Sequence, residues 1–236
     1  MMEKAKERAK EKLTNYWKPM LVEEGSEKDL DNPLYVATLK CDGTMAVVER
    51  TLENGFRIYG KRGLTFLLPE LENLAKIPHV FRVIGEIVYI DSEGHQIFRC
   101  SQIRCQISNR EKVEEYRKKF PIGIFLFDIT HLDGFDLTNL PFFKRWNILK
   151  AFLSLYSELL DLSNVRLVPI SADKRKMFEW AIGEGLEGVV LRSINGIYES
   201  GKRSKSMIKC KVREHSIFTL KTDEYYSHLG TMVENE

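Results

Sequence analysis

From residue 34 onward, short apolar and β-branched runs alternate with stretches whose apolar positions recur every three or four residues. The runs predict strands at 34–39, 45–50, 56–59, 81–90, 122–128, 166–170, 188–192, 207–212 and 216–220. The longer-period stretches predict helices at 68–76, 110–120, 141–160 and 174–184, the third opening with Pro141 where a helix tolerates proline. The early strands LYVATLK, MAVVER and FRIYG follow one another over short polar joins, which favours antiparallel pairing over βαβ alternation. The expected class is α+β. Residues 2–18 have helix-forming composition with opposite charges three apart, Pro19 stops that helix, and 23–33 reads as a connection.

Composition narrows the function classes. With 43% hydrophobic and 30% charged residues over 236 positions, the chain can bury its own core and is not a low-complexity or disordered tract. Thirty-six Lys and Arg against 34 Asp and Glu leave a net charge of +2, so any polyanion must be bound by local placement. No run of about 18 apolar residues marks a membrane span, and the charged start MMEKAKERAKEKL lacks the apolar core of a signal peptide, so a cytoplasmic protein with no membrane partner is expected. Cys41, Cys100, Cys105 and Cys210 form no C-x-x-C pair and read as reduced thiols, not zinc ligands.

Several short segments could carry phosphate chemistry. Gly196-Ile-Tyr-Glu-Ser-Gly201-Lys202 matches G-x-x-x-x-G-K, but Arg203 follows where a P-loop needs Ser or Thr. The alternating SKSMIKCKV after it predicts a strand where a helix N-terminus would be required. Lys40-Cys41-Asp42-Gly43 places a lysine at a strand end beside a turn-permitting glycine. Its amine can attack phosphorus only when deprotonated. Glu86, inside the apolar strand IGEIVYID, and Glu187, ahead of GVVLR, are carboxylates that would be costly to bury unpaired. Lys209 and Lys211 share one strand face. Buried acids and buried lysines together point to one site for a metal-bound polyphosphate.

The order KCDG, Gly60-Lys61-Arg62-Gly63, IGEIVYID, IFLFD, EGVVLR and SMIKCK resembles the successive motifs of the covalent nucleotidyltransferase superfamily, and within it the adenylation domain of ATP-dependent polynucleotide ligases. The resemblance covers about residues 18–215. It implies an ATP-grasp-like ligase adenylation fold of mainly antiparallel sheets flanked by helices. It also implies a DNA ligase core that makes a covalent lysyl-AMP and passes AMP to a 5′-phosphate of a nicked DNA duplex, with ATP and Mg2+ as cofactors. Carried over, Lys40 is the nucleophile, Glu86 contacts the ribose or a magnesium ion, and Glu187 binds magnesium. Phe127 stacks on adenine with Val189 on its other face. Thr38, Leu39 and Lys61 line the nucleotide site, and Lys209 and Lys211 contact the α-phosphate and pyrophosphate.

The chain departs from the pattern where Thr38 replaces an adenine-reading glutamate, Met45 an arginine, Lys61 an arginine, Ile84 an acid and Met207 a tryptophan. Gly43-Thr44 also resembles some RNA ligases, so RNA is the alternative substrate, and a non-catalytic nucleotide- or nucleic-acid-binding relative is the alternative class. The expected layout is a leading helix over 1–18, the adenylation domain over 19–222 and a polar tail over 223–236. Only 25 residues follow Lys211, where an OB-fold needs roughly twice that number. The expectation is therefore that the OB-fold is absent, either because the sequence is a piece of a longer chain or because a separate OB-fold or DNA-binding partner supplies it.

Overall fold

The computed structural model describes Leu13 and residues 15–211. The expected strand at 216–220, the domain boundary at 222, the tail and most of the leading helix fall outside these residues; 15–18 are not helical. In chain order the elements are β1 (Leu21–Glu24), β2 (Tyr35–Leu39), β3 (Thr44–Thr51), β4 (Gly55–Gly60), β5 (Phe81–Tyr89), α1 (Phe98–Gln106), α2 (Arg110–Lys119), β6 (Ile122–Leu132), β7 (Phe135–Asp136), α3 (Phe142–Ser157), β8 (Val165–Leu167), β9 (Ile170–Ser171), α4 (Lys174–Gly183), β10 (Gly188–Ser193) and β11 (Arg203–Lys211), with 3-10 helices at Glu27–Asp31 and Pro69–Lys76.

Two sheets result, the first in the order β1-β11-β10-β2-β9 and the second β4-β3-β5-β6-β7 with β8 added beside β6. Pairing is antiparallel except at β1/β11 and β6/β8. This is the expected α+β class.

Side-chain alternation decides what each sheet face meets. Ala46 and Val48 of β3 join Val83 and Ile87 of β5 in the largest core, which α3 closes with Leu149, Phe152, Leu153 and Tyr156. These α3 residues recur every three or four positions, so the helix buries one stripe. Ala37, Leu39, Val189 and Leu191 of the first sheet meet Met177, Phe178 and Ala181 of α4 in a second core. A third cluster, Met20, Ile84, Tyr198 and Met207 with Met45, Phe127 and Val190, lies where the two sheets face each other. It forms the floor of the site.

Two expected elements differ for local reasons. The helix expected at 68–76 is a 3-10 helix, because Leu68, Leu71, Leu74 and Ile77 are all buried at a spacing of three, matching three residues per turn. The strand expected at 166–170 is two short strands in different sheets, split at Val168 and Pro169. Pro169 has no N–H to give a ladder, and its carbonyl accepts the Leu39 N–H at 3.0 Å.

Candidate functional site

Lys40 follows the last residue of β2, and its backbone N–H donates to the Gly188 carbonyl at 2.9 Å. That bond sets Lys40 beside Glu187, and the Lys40 Nζ donates to the Glu187 carboxylate. Both side chains keep some exposure, 17% and 31%, so the pair lies at the cleft wall and not in the core. Gly188 has φ +127°, and a Cβ there would stand 2.3 Å from the Cys210 carbonyl, so only glycine lets β10 meet β11 directly after Glu187.

The loop after Lys40 is pressed onto the second sheet. A Cβ on Gly43 would lie 2.1 Å from the Ile87 carbonyl and 3.0 Å from Glu86 Cγ, which leaves no space for a side chain. The Asp42 N–H donates to Gln96 Oε1 at 2.7 Å. This contact brings Asp42, Glu86 and Glu187 around one lysine. Burial first, then repulsion from Glu187 and Asp42, raises Glu86 to about 8, while Lys40 and Lys61 oppose the rise. Asp42 is also raised, by burial and then by Glu187. Burial drives the Cys41 thiol far above its ordinary value and Cys210 up to about 11, so neither is a thiolate near neutrality.

Lys209 and Lys211 stand opposite Val190 and Gly188 on β11. Lys209 Nζ pairs with Glu24 at 2.7 Å; Glu24 of β1 has no counterpart in the sequence-based expectation. Lys211 is exposed, and its charge reaches both Asp42 and Glu24. Lys61 is exposed in the turn after β4 and reaches Glu86 through its field. Phe127 is half-buried between the second and third clusters.

Three residues expected to line the nucleotide site are buried. Val189 is fully buried against α4, and the half-buried Val190 faces Phe127 instead, because alternation along β10 runs one position out of phase with the expectation. Leu39 is turned into the same α4 core. Thr38 is only 1% exposed. Its hydroxyl donates to the Val190 carbonyl at 3.0 Å and accepts from Arg192 Nε at 3.2 Å.

Arg192 belongs to a network that sequence reading left out. Its guanidinium lies 4.6 Å from the centroid of the Phe127 ring and 3.7 Å from Asp128. Asp128 accepts two bonds from Arg145, at 2.8 and 3.1 Å, and one from the Ile129 N–H at 3.0 Å. Arg145 also donates to the carbonyls of Leu140 and Gly196. Burial lowers Arg192 to about 10 against the pull of Asp128. The signal available in sequence was an arginine at a core-facing helix position in α3.

Glu86 and Glu187 supply hard oxygen donors, and crowding among three carboxylates is a condition that a divalent cation relieves. Among the described residues no three His, Cys, Asp or Glu close into a metal cage. A site of two carboxylates suits Mg2+, which usually binds through one or two carboxylates plus substrate phosphates. No helix among the described residues is long and apolar enough to cross a membrane.

The model of the family described as ATP dependent DNA ligase domain matches residues 19–211. A probable DNA ligase of Aquifex aeolicus is 34% identical over 185 residues, 74% of this chain and 30% of that protein. The DNA ligase of variola virus is 31% identical over 185 residues, 73% of this chain and 31% of that protein. The chain spans about a third of the length of these relatives. Mycobacterial DNA ligase D, solved with ATP and MES, superposes with a TM-score of 0.65 at 24% identity over 84% of this chain and 61% of that one. Chlorella virus DNA ligase-adenylate gives 0.59 at 17% identity over 82% and 68%. The fold is that of a ligase adenylation domain.

Proposed function

Because the chain belongs to the ATP-dependent DNA ligase domain family, we propose that it is a ligase adenylation core in which Lys40 takes AMP from ATP and passes it to the 5′-phosphate of a nicked DNA duplex. The observation that carries this reading is the Lys40–Glu187 contact among the carboxylates of Asp42 and Glu86, with Glu187 leading directly into the strand paired with Lys209 and Lys211.

In this reading Glu187 takes the proton from the Lys40 ammonium, and the freed amine attacks the α-phosphorus. A nitrogen–phosphorus bond forms as the bond to pyrophosphate breaks, leaving AMP on the lysine. Lys209 and Lys211 offset the charge of the departing pyrophosphate, and Phe127 with Val190 holds the base between apolar surfaces. Glu86 and Glu187 are the residues that would hold Mg2+, which when bound neutralises phosphate charge.

The test is incubation with Mg2+ and α-labelled ATP, followed by denaturation. The expected result is label on the wild type and label at background on Lys40→Ala, with the fold of the variant intact by circular dichroism. A wild-type chain that neither takes label nor seals a pre-adenylylated DNA nick would overturn the reading. Sealing of RNA nicks alone would replace DNA with RNA as the substrate.

A further inference from the structure

The chain leaves the first sheet at Leu39 and enters the second at Thr44, so the residues from Lys40 to Gly43 carry it from one sheet to the other. Both ends of this crossing are gripped by backbone. The Lys40 N–H donates to the Gly188 carbonyl at 2.9 Å, and Gly43 is pressed against the Ile87 carbonyl. Between these grips the Asp42 N–H lies outside both strands, and it donates to a side chain, Gln96 Oε1, at 2.7 Å. A partly buried N–H that lost this acceptor would have to move to find another.

Gln96 reaches the crossing from a rigid support. After β5 the chain reverses in a turn knitted by Asp91, whose Oδ1 accepts the N–H groups of Glu93 and His95, each at 2.9 Å. The Asp91 N–H donates to the His95 carbonyl at 3.0 Å, and Gly94 takes φ +91°, which glycine adopts without strain. Gln96 then forms an antiparallel bridge with Ile90, and the Ile97 N–H returns to the Tyr89 carbonyl at 3.0 Å. From the first turns of α1 the Ser101 hydroxyl accepts the Tyr89 N–H at 2.8 Å. Gln96 is therefore fixed to β5, the strand that carries Glu86.

We propose that Gln96 is a positioning residue for the attack of Lys40 on the α-phosphorus. Its side-chain oxygen fixes the peptide between Cys41 and Asp42, and with it the direction in which the Lys40 side chain leaves the backbone. This rests on the ligase reading for the reaction it serves. Loss of the bond should cost rate and not ATP affinity, because Phe127, Lys209 and Lys211 lie on other elements.

The test uses the full chain and compares Gln96→Leu, which keeps the bulk and removes the acceptor, with Gln96→Glu, which keeps an oxygen at the same reach. Each is mixed with Mg2+ and α-labelled ATP over a range of concentrations and denatured at successive times. For Gln96→Leu the labelling rate at saturating ATP is expected to fall about 10- to 100-fold. Its half-saturating ATP concentration and its final label per chain should stay within about twofold of wild type. Gln96→Glu should label within about threefold of the wild-type rate. Hydrogen exchange at the Asp42 amide, followed by NMR, should quicken about tenfold or more in Gln96→Leu and stay near wild type in Gln96→Glu. An unchanged rate in Gln96→Leu, equal slowing in both variants, a loss confined to the final label, or an Asp42 amide still protected in Gln96→Leu would each overturn the proposal while the labelled wild type upholds the ligase reading. A wild type that takes no label would count against both.

Discussion

Two groups of charge share the space between the sheets and are treated in opposite ways. Asp128, fully buried, is surrounded by donors: Arg145 grips it with two bonds, its neighbour's N–H adds a third, and Arg192 stands 3.7 Å away. Around Lys40 the balance is reversed, with Asp42, Glu86 and Glu187 gathered about one lysine and both Asp42 and Glu86 raised as a result. The first group ties β6, α3 and the loop after β10 together, and every charge in it has an opposite charge within 4 Å. The second keeps charges that the folded protein alone does not balance. Such frustration is found where a ligand completes the electrostatics.

Breaking the satisfied group should produce the largest loss of stability. Asp128→Asn leaves two buried guanidinium groups facing each other with no anion. Its expected cost is about 3–5 kcal/mol, on the order of 10 °C in thermal midpoint for a domain of this size. A loss below about 1 kcal/mol by thermal denaturation would mean that the two groups do not differ in the way described.

Relieving the frustrated group should have the opposite sign. With Glu86 raised to about 8 from 4.5, the folded chain holds a proton that the unfolded chain releases between those values. The stability Glu86 contributes is therefore complete below about pH 4.5 and lost as pH rises through 8. Without divalent cations, Glu86→Gln is expected to raise the midpoint by a few degrees at pH 8 and to leave it unchanged at pH 4, at about 2–4 °C per kcal/mol. The same variant should lose covalent labelling. A gain of equal size at both pH values would assign it to packing.

The smallest effect is expected at the boundary between the groups. Phe127 has Arg192 on its ring and packs against both the second and third apolar clusters. Phe127→Ala should weaken ATP binding by about 0.5–1.5 kcal/mol of stacking plus lost burial, a factor of roughly 2 to 12 in dissociation constant by calorimetry. An unchanged constant would remove Phe127 from the site and leave its ring as part of the satisfied group.

This contrast also explains what could be read from the chain. Glu86 and Glu187 stand out in sequence because each interrupts or adjoins an apolar run, and Lys40 because a glycine turn follows it. The strands at 81–89 and 188–193 were legible for the same reason, as short runs rich in Val, Ile and Leu around those acids. α1 was not, because the residues it buries are Ser101, Arg104 and Cys105, and no apolar stripe announces it. β1 was hidden by being four residues long with two glutamates, one of which pairs with Lys209. The Asp128 network joins residues whose pairing depends on how α3 lies across β6, which no local pattern encodes. Val190 was displaced by one position from Val189 because an apolar run shows where a strand is and not which way it is phased.

The closeness of Gly43 to Ile87 has a further meaning for heredity. Every single-nucleotide change to a glycine codon that alters the residue adds at least a Cβ, and here that atom would lie 2.1 Å from a backbone carbonyl that cannot swing aside. No gentle missense allele exists at this codon: each one lifts the loop that follows Lys40 off the strand that carries Glu86.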